Sequence, residues 1–234
     1  MPLKCRPPVQ NRGSESYRRE PMNTSATAPK APARLRVEGD IMEAAKRLFA
    51  QHGYGGVSLD TIASEAGVSK QGLLYYFPKK VVLYRAVLQN VLDVWLEYMD
   101  VLGHGDDDPE TALRTYIAGK LRFSREQPHG SRVFASEVIA GAPHFADEIE
   151  RRVVPALHAD ELVYRHWVER GLCRPMDTRH LMVVLWAATQ AYADFASQIC
   201  LILGKPELEQ QDFDDAEKVI VEMVLRSVLR NPGD

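Results

Sequence analysis

The sequence predicts an all-α fold of about nine helices, and three observations carry that expectation. Apolar residues recur at helical spacing through most of the chain. Serine, aspartate and proline stand where helices begin and glycine where they end. No stretch alternates apolar and polar residues as a half-buried strand would. With 234 residues, 45% of them hydrophobic, the chain suffices for one or two modest domains with buried cores.

Residues 1–33 hold six prolines among Ser, Thr, Ala and scattered Arg. Such a composition buries too little apolar surface to order itself, so a flexible basic arm is expected there. From Glu38 to His52, the positions Ile41, Ala44, Ala45, Leu48 and Phe49 follow the i, i+3, i+4, i+7 stripe of a surface helix, which Gly53 stops. Ser58 caps a second helix with Ile62 and Ala63 inward; Gly67 ends it, and Ser69 caps a third. Three helices in about forty residues are too thin to stand alone. They lean on a fourth helix, expected from near Lys79 to about Leu102. Residues 34–85 thus form one domain and 86–234 a second.

Asp108-Pro109-Glu110 restarts the chain with an N-cap, a proline at the first helical position and an acid in the first turn; that helix runs to about Glu126. Ser131 to Ala140 forms another, closed by Gly141. Residues 144–170 are helical with a break expected at Pro155. Asp177 caps a long apolar helix to Leu203, and a last helix spans about 213–230.

The net charge of −3 hides an asymmetry. Residues 1–36 carry eight Lys/Arg against two Asp/Glu, whereas residues 86–234 carry fifteen against twenty-five. The front is suited to a polyanion and the back is not. Cys5, Cys173 and Cys200 have neither metal-ligand spacing nor disulfide density, so no metal or cofactor is expected and a reduced, cytoplasmic setting fits. The N-terminus lacks the apolar core of a secretory signal, and no apolar run approaches the ~18 residues of a membrane span. A Gly-rich phosphate loop, a GxSxG elbow and an HExxH pair are absent; His129, His144, His158, His166 and His180 are scattered, which argues against an enzyme.

The densest information lies in Ser58–Phe77, SLDTIASEAGVSKQGLLYYF. Two short helices joined by a tight turn at Ala66-Gly67-Val68 are the layout of a helix-turn-helix, whose second helix can enter the major groove of duplex DNA. The turn needs glycine for a positive φ, and Ala63 is small because the helices cross there. Ser69, Lys70, Gln71 and Gly72 open the third helix. Gln71 suits adenine, Lys70 suits guanine or phosphate, and Gly72 admits a close backbone approach. Ser58, Thr61 and Lys80 are further phosphate candidates. Leu73, Leu74 and Phe77 read as core. Tyr75 and Tyr76 are either core aromatics or rings whose hydroxyls reach phosphate.

AAKRLFAQHGYGGVSLDTIASEAGVSKQGLLYYF, with Lys80 and Leu83, resembles the DNA-binding domain of the tetracycline-repressor family of bacterial regulators. One departure is Pro78-Lys79-Lys80-Val81, where the family usually has Ser or Asn before the lysine and an acid after it. In the sensor half, VLQNVLDVWLEY, SRVFASEVIAGAP and HLMVVLWAATQAYADFASQI resemble the pyrimidine-utilisation branch of that family. The resemblance implies a homodimer on a near-palindromic operator, and a small-molecule effector that releases it. In that branch the effector is a cyclic amide such as uracil or thymine; the alternative is a regulator of the same family sensing another small molecule.

The residues between Met182 and Leu203 support such a site. Trp186, Gln190, Ala193 and Asp194 share one helical face, where a carboxamide, a carboxylate and an aromatic wall would suit a ring with amide donors and acceptors. Trp95, Phe134, Glu137 and Trp167 are candidates for the other walls. The aromatics are alternatively plain core, and Gln190 or Asp194 could instead bond across a dimer interface. That interface is expected from helices 177–203 and 213–230 pairing as a four-helix bundle, with Val219, Ile220, Met223, Val224 and Val228 as the apolar stripe.

Overall fold

The computed structural model describes residues 31–99, 102 and 108–230, in which ten helices and no strand occur. They are α1 (Ala31–His52), α2 (Leu59–Glu65), α3 (Lys70–Tyr76), α4 (Lys80–Met99), α5 (Pro109–Glu126), α6 (Pro128–Ile139), α7 (Ala146–Glu169), α8 (Thr178–Asp194), α9 (Ala196–Leu203) and α10 (Gln210–Val228). The arm expected over residues 1–33 lies outside the described residues except for its last three, which open α1.

The caps read from the sequence are in place. Ser58 and Ser69 adopt extended backbone and their hydroxyls accept from the amides of Thr61 and Gly72, both at 3.0 Å. Asp108 and Asp177 do the same for α5 and α8. The α2–α3 turn is held by Gly67, at φ +67°. Its amide donates to Ser64 O at 3.2 Å, while the amide of Val68 reaches back to Ala63 O at 2.9 Å. That doubled C-cap needs a left-handed residue, the reason for glycine here.

Two expected breaks differ. Pro155 stands inside α7 and does not end it. It is on the solvent side, so water satisfies the carbonyl that loses its helical partner, and the buried face carrying Val153, Asp160, Tyr164 and Trp167 continues past it. The helix expected over 177–203 is instead interrupted at Phe195. The split raises the helix number to ten, and nothing in α9 is buried to hold it in register with α8.

One continuous core runs through both halves. α1–α3 form the small N-terminal head, with Ile41, Ala44, Phe49, Ile62 and Leu73 nearly inaccessible. α5 is the central helix of the larger half, packed against α4, α8 and α10. The head docks through α1 on α6 and through α4, which belongs to both halves. A bridge between Cys173 and Leu229 ties the α7–α8 turn to the end of α10.

Candidate nucleic-acid interface and effector site

On the head, the second and third helices present one polar edge. Ser58, Thr61, Ser69, Lys70, Gln71 and Tyr75 are exposed, while Leu73 and Phe77 on the opposite face are buried. Tyr75 is 66% exposed, and its ring meets that of half-buried Tyr76 edge-on at 5.2 Å; of the two roles open to Tyr75, core is excluded. Lys70 reaches Asp60 at 2.8 Å, an exposed pair that contributes little and that a phosphate can displace. A Cβ on Gly72 would come within 3.2 Å of Ser69 Oγ, so this glycine also protects the cap that aims α3. Lys80 differs from expectation. It donates to the carbonyls of Tyr54 at 2.7 Å and Val57 at 2.8 Å and lies over the Tyr54 ring. Its ammonium closes the α1–α2 loop instead of being presented for phosphate.

In the larger half, five of the seven candidate effector residues converge. Trp95 of α4 stacks on Phe134 of α6 at 6.5 Å and meets Trp186 of α8 edge-on at 4.9 Å. Asp194, at the end of α8, accepts from Ser131 Oγ at 2.6 Å; burial raises its pKa, against that bond and the charges of Arg132 and Lys120. Gln190 is half-buried one turn after Trp186 and one before Asp194.

The residue that sequence reasoning missed is Lys120. It is wholly buried, its ammonium has no hydrogen-bond partner, and it sits 3.8 Å from the centroid of Trp95. Burial pulls its pKa well down, with the Asp194 charge opposing. The Trp95 indole N–H is equally buried and unpartnered, whereas Trp186 donates to Tyr116 Oη at 2.6 Å. The signal was available: position 120 falls on the α5 stripe Leu113, Tyr116, Ile117, Lys120, Leu121, where a lysine interrupts an apolar face.

Two candidates lie elsewhere. Trp167 packs edge-on against Tyr164 within α7, a core role, although its indole N–H is also unpartnered. Glu137 faces the head. Its carboxylate accepts from the amide of His144 at 2.5 Å and from His144 Nδ1 at 3.2 Å. The His144 ring in turn lies 4.4 Å from Tyr54 and 5.4 Å from Tyr84. Burial first, then the charge and hydrogen bond of Glu137, raise the pKa of Tyr84. Beside them Arg85 makes two bonds to Asp147, at 2.9 and 3.1 Å, and a further one to His144 O. Glu137 therefore joins α6 to the head rather than lining the aromatic site.

A model of the bacterial regulatory proteins of the tetR family matches residues 41–87, and one of the C-terminal region of YcdC-like proteins matches residues 88–231. The HTH-type transcriptional regulator RutR of Escherichia coli K12 is 39% identical over 186 residues, 78% of this chain and 87% of that one. The chain belongs to the tetracycline-repressor family. The activator FasR of Mycolicibacterium smegmatis is 29% identical over 48% of the chain and 51% of its own length. Among solved structures, the TetR-family regulator PfmR of Thermus thermophilus has a TM-score of 0.65 at 17% identity, over 82% of this chain and 96% of that one, a likeness of fold alone. The family assignment makes this chain a helix-turn-helix transcriptional regulator and not an enzyme. Among the described residues no helix is long and apolar enough to cross a membrane, and no His, Cys, Asp and Glu group could hold a metal.

TetR-family regulators act as dimers, and the exposed apolar residues here revise the expected stripe. Val219 and Met223 are 57% and 65% exposed on α10, and Val183 and Val184 match them on α8. Ile220, Val224 and Val228 face the core of their own protomer. They alternate with the outward residues because α10 is apolar on two sides, which spacing alone cannot sort.

Proposed function

We propose that this regulator is a repressor of pyrimidine or related nucleobase metabolism, released from its operator when a small cyclic amide such as uracil or thymine binds between α4, α5, α6 and α8. The observation that carries the reading is Lys120: a wholly buried amine with no hydrogen-bond partner is costly whether it keeps or gives up its proton, and an acceptor on a bound molecule would relieve that cost. A pyrimidinedione offers two carbonyl acceptors to Lys120 and the Trp95 N–H, two N–H donors to Asp194 and Gln190, and flat faces to Trp95, Trp186 and Phe134. The resemblance of the sensor segments to the pyrimidine-utilisation branch supports the same chemistry. A second reading, an aromatic carboxylate, is favoured by Lys120 alone.

In this account the DNA-binding state presents Ser58, Thr61, Ser69, Lys70, Gln71, Gly72, Tyr75 and Tyr76 from each of two protomers to successive major grooves. Release runs through α6. Phe134 touches Trp95, and one turn later Glu137 grips the His144 turn that packs on the head. An effector that fits better when Phe134 has moved shifts the spacing of the two heads; equal affinity for both states would shift nothing.

The test is thermal unfolding with a panel of uracil, thymine, cytosine, benzoate and salicylate, followed by operator release. Uracil or thymine should raise Tm and dissociate the complex, and Lys120→Met should remove both responses. A shift only with carboxylates favours the second reading; no shift at millimolar nucleobase overturns the pyrimidine assignment.

A further inference from the structure

We propose that the last turn of α8 and the adjoining α9 form the door to the Lys120 site, latched by Arg132 and approached through a cleft beneath α9. The door presupposes the effector site placed above between α4, α5, α6 and α8. That site is closed. Lys120, Tyr116 and Thr189 are inaccessible, and Trp95 is only 5% exposed. A molecule that is to touch Lys120 must displace part of the wall.

The end of α8 is a part of that wall with open space behind it. A cleft of about 720 Å³ lies there, lined among others by Ser124, Arg132, Tyr192, Ser197, Cys200 and Phe213. Ser124 stands one turn past Lys120 on α5. Asp194 feels the charge of Arg132, which lines the cleft, and that of Lys120, which lies inside. The segment 192–194 therefore separates the cleft from the effector site.

Three side chains hold this segment. Ser124 Oγ donates to Thr189 O at 2.9 Å, Ser131 Oγ to Asp194 at 2.6 Å and Arg132 Nε to Ala193 O at 2.9 Å. The first bond is buried, and the other two, from near the start of α6, secure the very end of the helix. Beyond them little anchors the chain. The helix breaks at Phe195, which is 58% exposed, and α9 has no buried residue. Only α8 packs substantially on α9. A segment with few buried contacts, tied by a few bonds beside a closed core, opens at lower cost than the core itself. Arg132 is the outermost of the three ties and has a charge-assisted bond to lose.

The Arg132 bond joins two groups that do not touch the effector, so it is made whether the site is empty or filled. Loosening it speeds entry and exit alike and leaves their ratio unchanged. The latch thus sets how fast the regulator answers a change in effector level, separately from the level to which it answers.

The experiment compares the full chain with Arg132→Ala, Arg132→Lys and Ser197→Trp, the last of which fills the cleft from the exposed side of α9. Acrylamide, a small neutral amide, is the first probe. Its quenching of Trp95 and Trp186 reports entry whatever the natural effector is, and Trp167, away in α7, contributes a constant background. Stopped-flow fluorescence with uracil then gives the on- and off-rates. Arg132→Ala should raise the quenching constant and both uracil rates about tenfold, with Kd and Tm little changed. Arg132→Lys, which can still donate to Ala193 O, should stay near wild type, and Ser197→Trp should slow quenching and both rates. Should Arg132→Ala prove unstable, Ser197→Trp tests the same route with the core intact. Equal quenching in all four proteins overturns the door. Weaker uracil binding by Arg132→Ala with unaltered quenching makes Arg132 a ligand contact and overturns the latch. Absence of uracil binding in every protein overturns the pyrimidine reading, and quenching still decides the door.

Discussion

The head and the sensor core treat polar groups in opposite ways. In the head, the groups that shape the turn are satisfied: Ser58 and Ser69 cap their helices, Gly67 and Val68 amides reach back into α2, and Lys80 closes the loop over Tyr54 and Val57. Lys46, the buried cation of α1, bonds to Glu43 and Gln127, and the residues of the α2–α3 edge face outward. In the sensor, the Lys120 nitrogen and the Trp95 indole N–H are sealed inside without hydrogen-bond partners, near a carboxylate whose own pKa is raised. A surface that reads DNA gains from a rigid frame with exposed donors. A site that senses a small molecule gains from donors whose satisfaction is deferred until the ligand arrives.

That contrast can be broken most forcefully at the buried face of the recognition helix. Leu73→Ala should destabilise the protein by about 2–5 kcal/mol in urea denaturation, since the side chain is inaccessible and the thin head cannot collapse around the gap. The same measurement should move the other way for the sensor: Lys120→Met should stabilise the ligand-free protein by about 1–4 kcal/mol while abolishing the nucleobase response. A destabilised Lys120→Met protein would mean that the contact with the Trp95 ring outweighs the cost of burying the amine. The gain should also depend on pH. The folded pKa of Lys120 lies well below its ordinary 10.5, so between the two values the unfolded chain binds the extra proton. Wild-type stability from this group therefore rises with pH through that window, and the advantage of Lys120→Met should narrow from pH 7 to pH 9.

Smaller effects sharpen the comparison. Gln71→Ala, on the exposed edge of α3, should weaken specific operator binding by about 1–3 kcal/mol and change stability by no more than about 0.5 kcal/mol. Competition against nonspecific duplex checks it; an unaltered ratio removes Gln71 from base reading. Glu137→Gln keeps the shape of the link between α6 and the His144 turn but removes its charge. It should reduce by about 0.5–2 kcal/mol the factor by which uracil lowers operator affinity, with effector binding itself changed less. An unchanged factor would place the coupling elsewhere.

Where signals were local, they were legible in the residues. Ser58, Gly67, Ser69, Asp108 and Asp177 announce their helix ends because capping acts within four residues. Where the outcome depended on a neighbour, spacing misled. Pro155 reads as a break but stands on the solvent side of a helix already held by its buried face. Glu137 and Trp167 fall at plausible wall positions, yet packing turns one to the head and the other into α7. Ile220, Val224 and Val228 share an apolar helix with Val219 and Met223, and only the position of α5 sorts inward from outward. Lys120 was visible as a charge in an apolar stripe; what the stripe could not tell was that no partner waits for it.

The order of residues alone therefore determined an all-helical chain, its capped turn and the polar edge of α3, since each is set by backbone hydrogen bonding and side-chain chemistry over a few positions. The assembled fold decided which polar groups are enclosed, which aromatics meet, and that Lys80 and Glu137 serve the joints of the molecule. Those outcomes depend on low-dielectric surroundings and on contacts between residues tens of positions apart, which exist only once α4, α5, α6 and α8 have packed together.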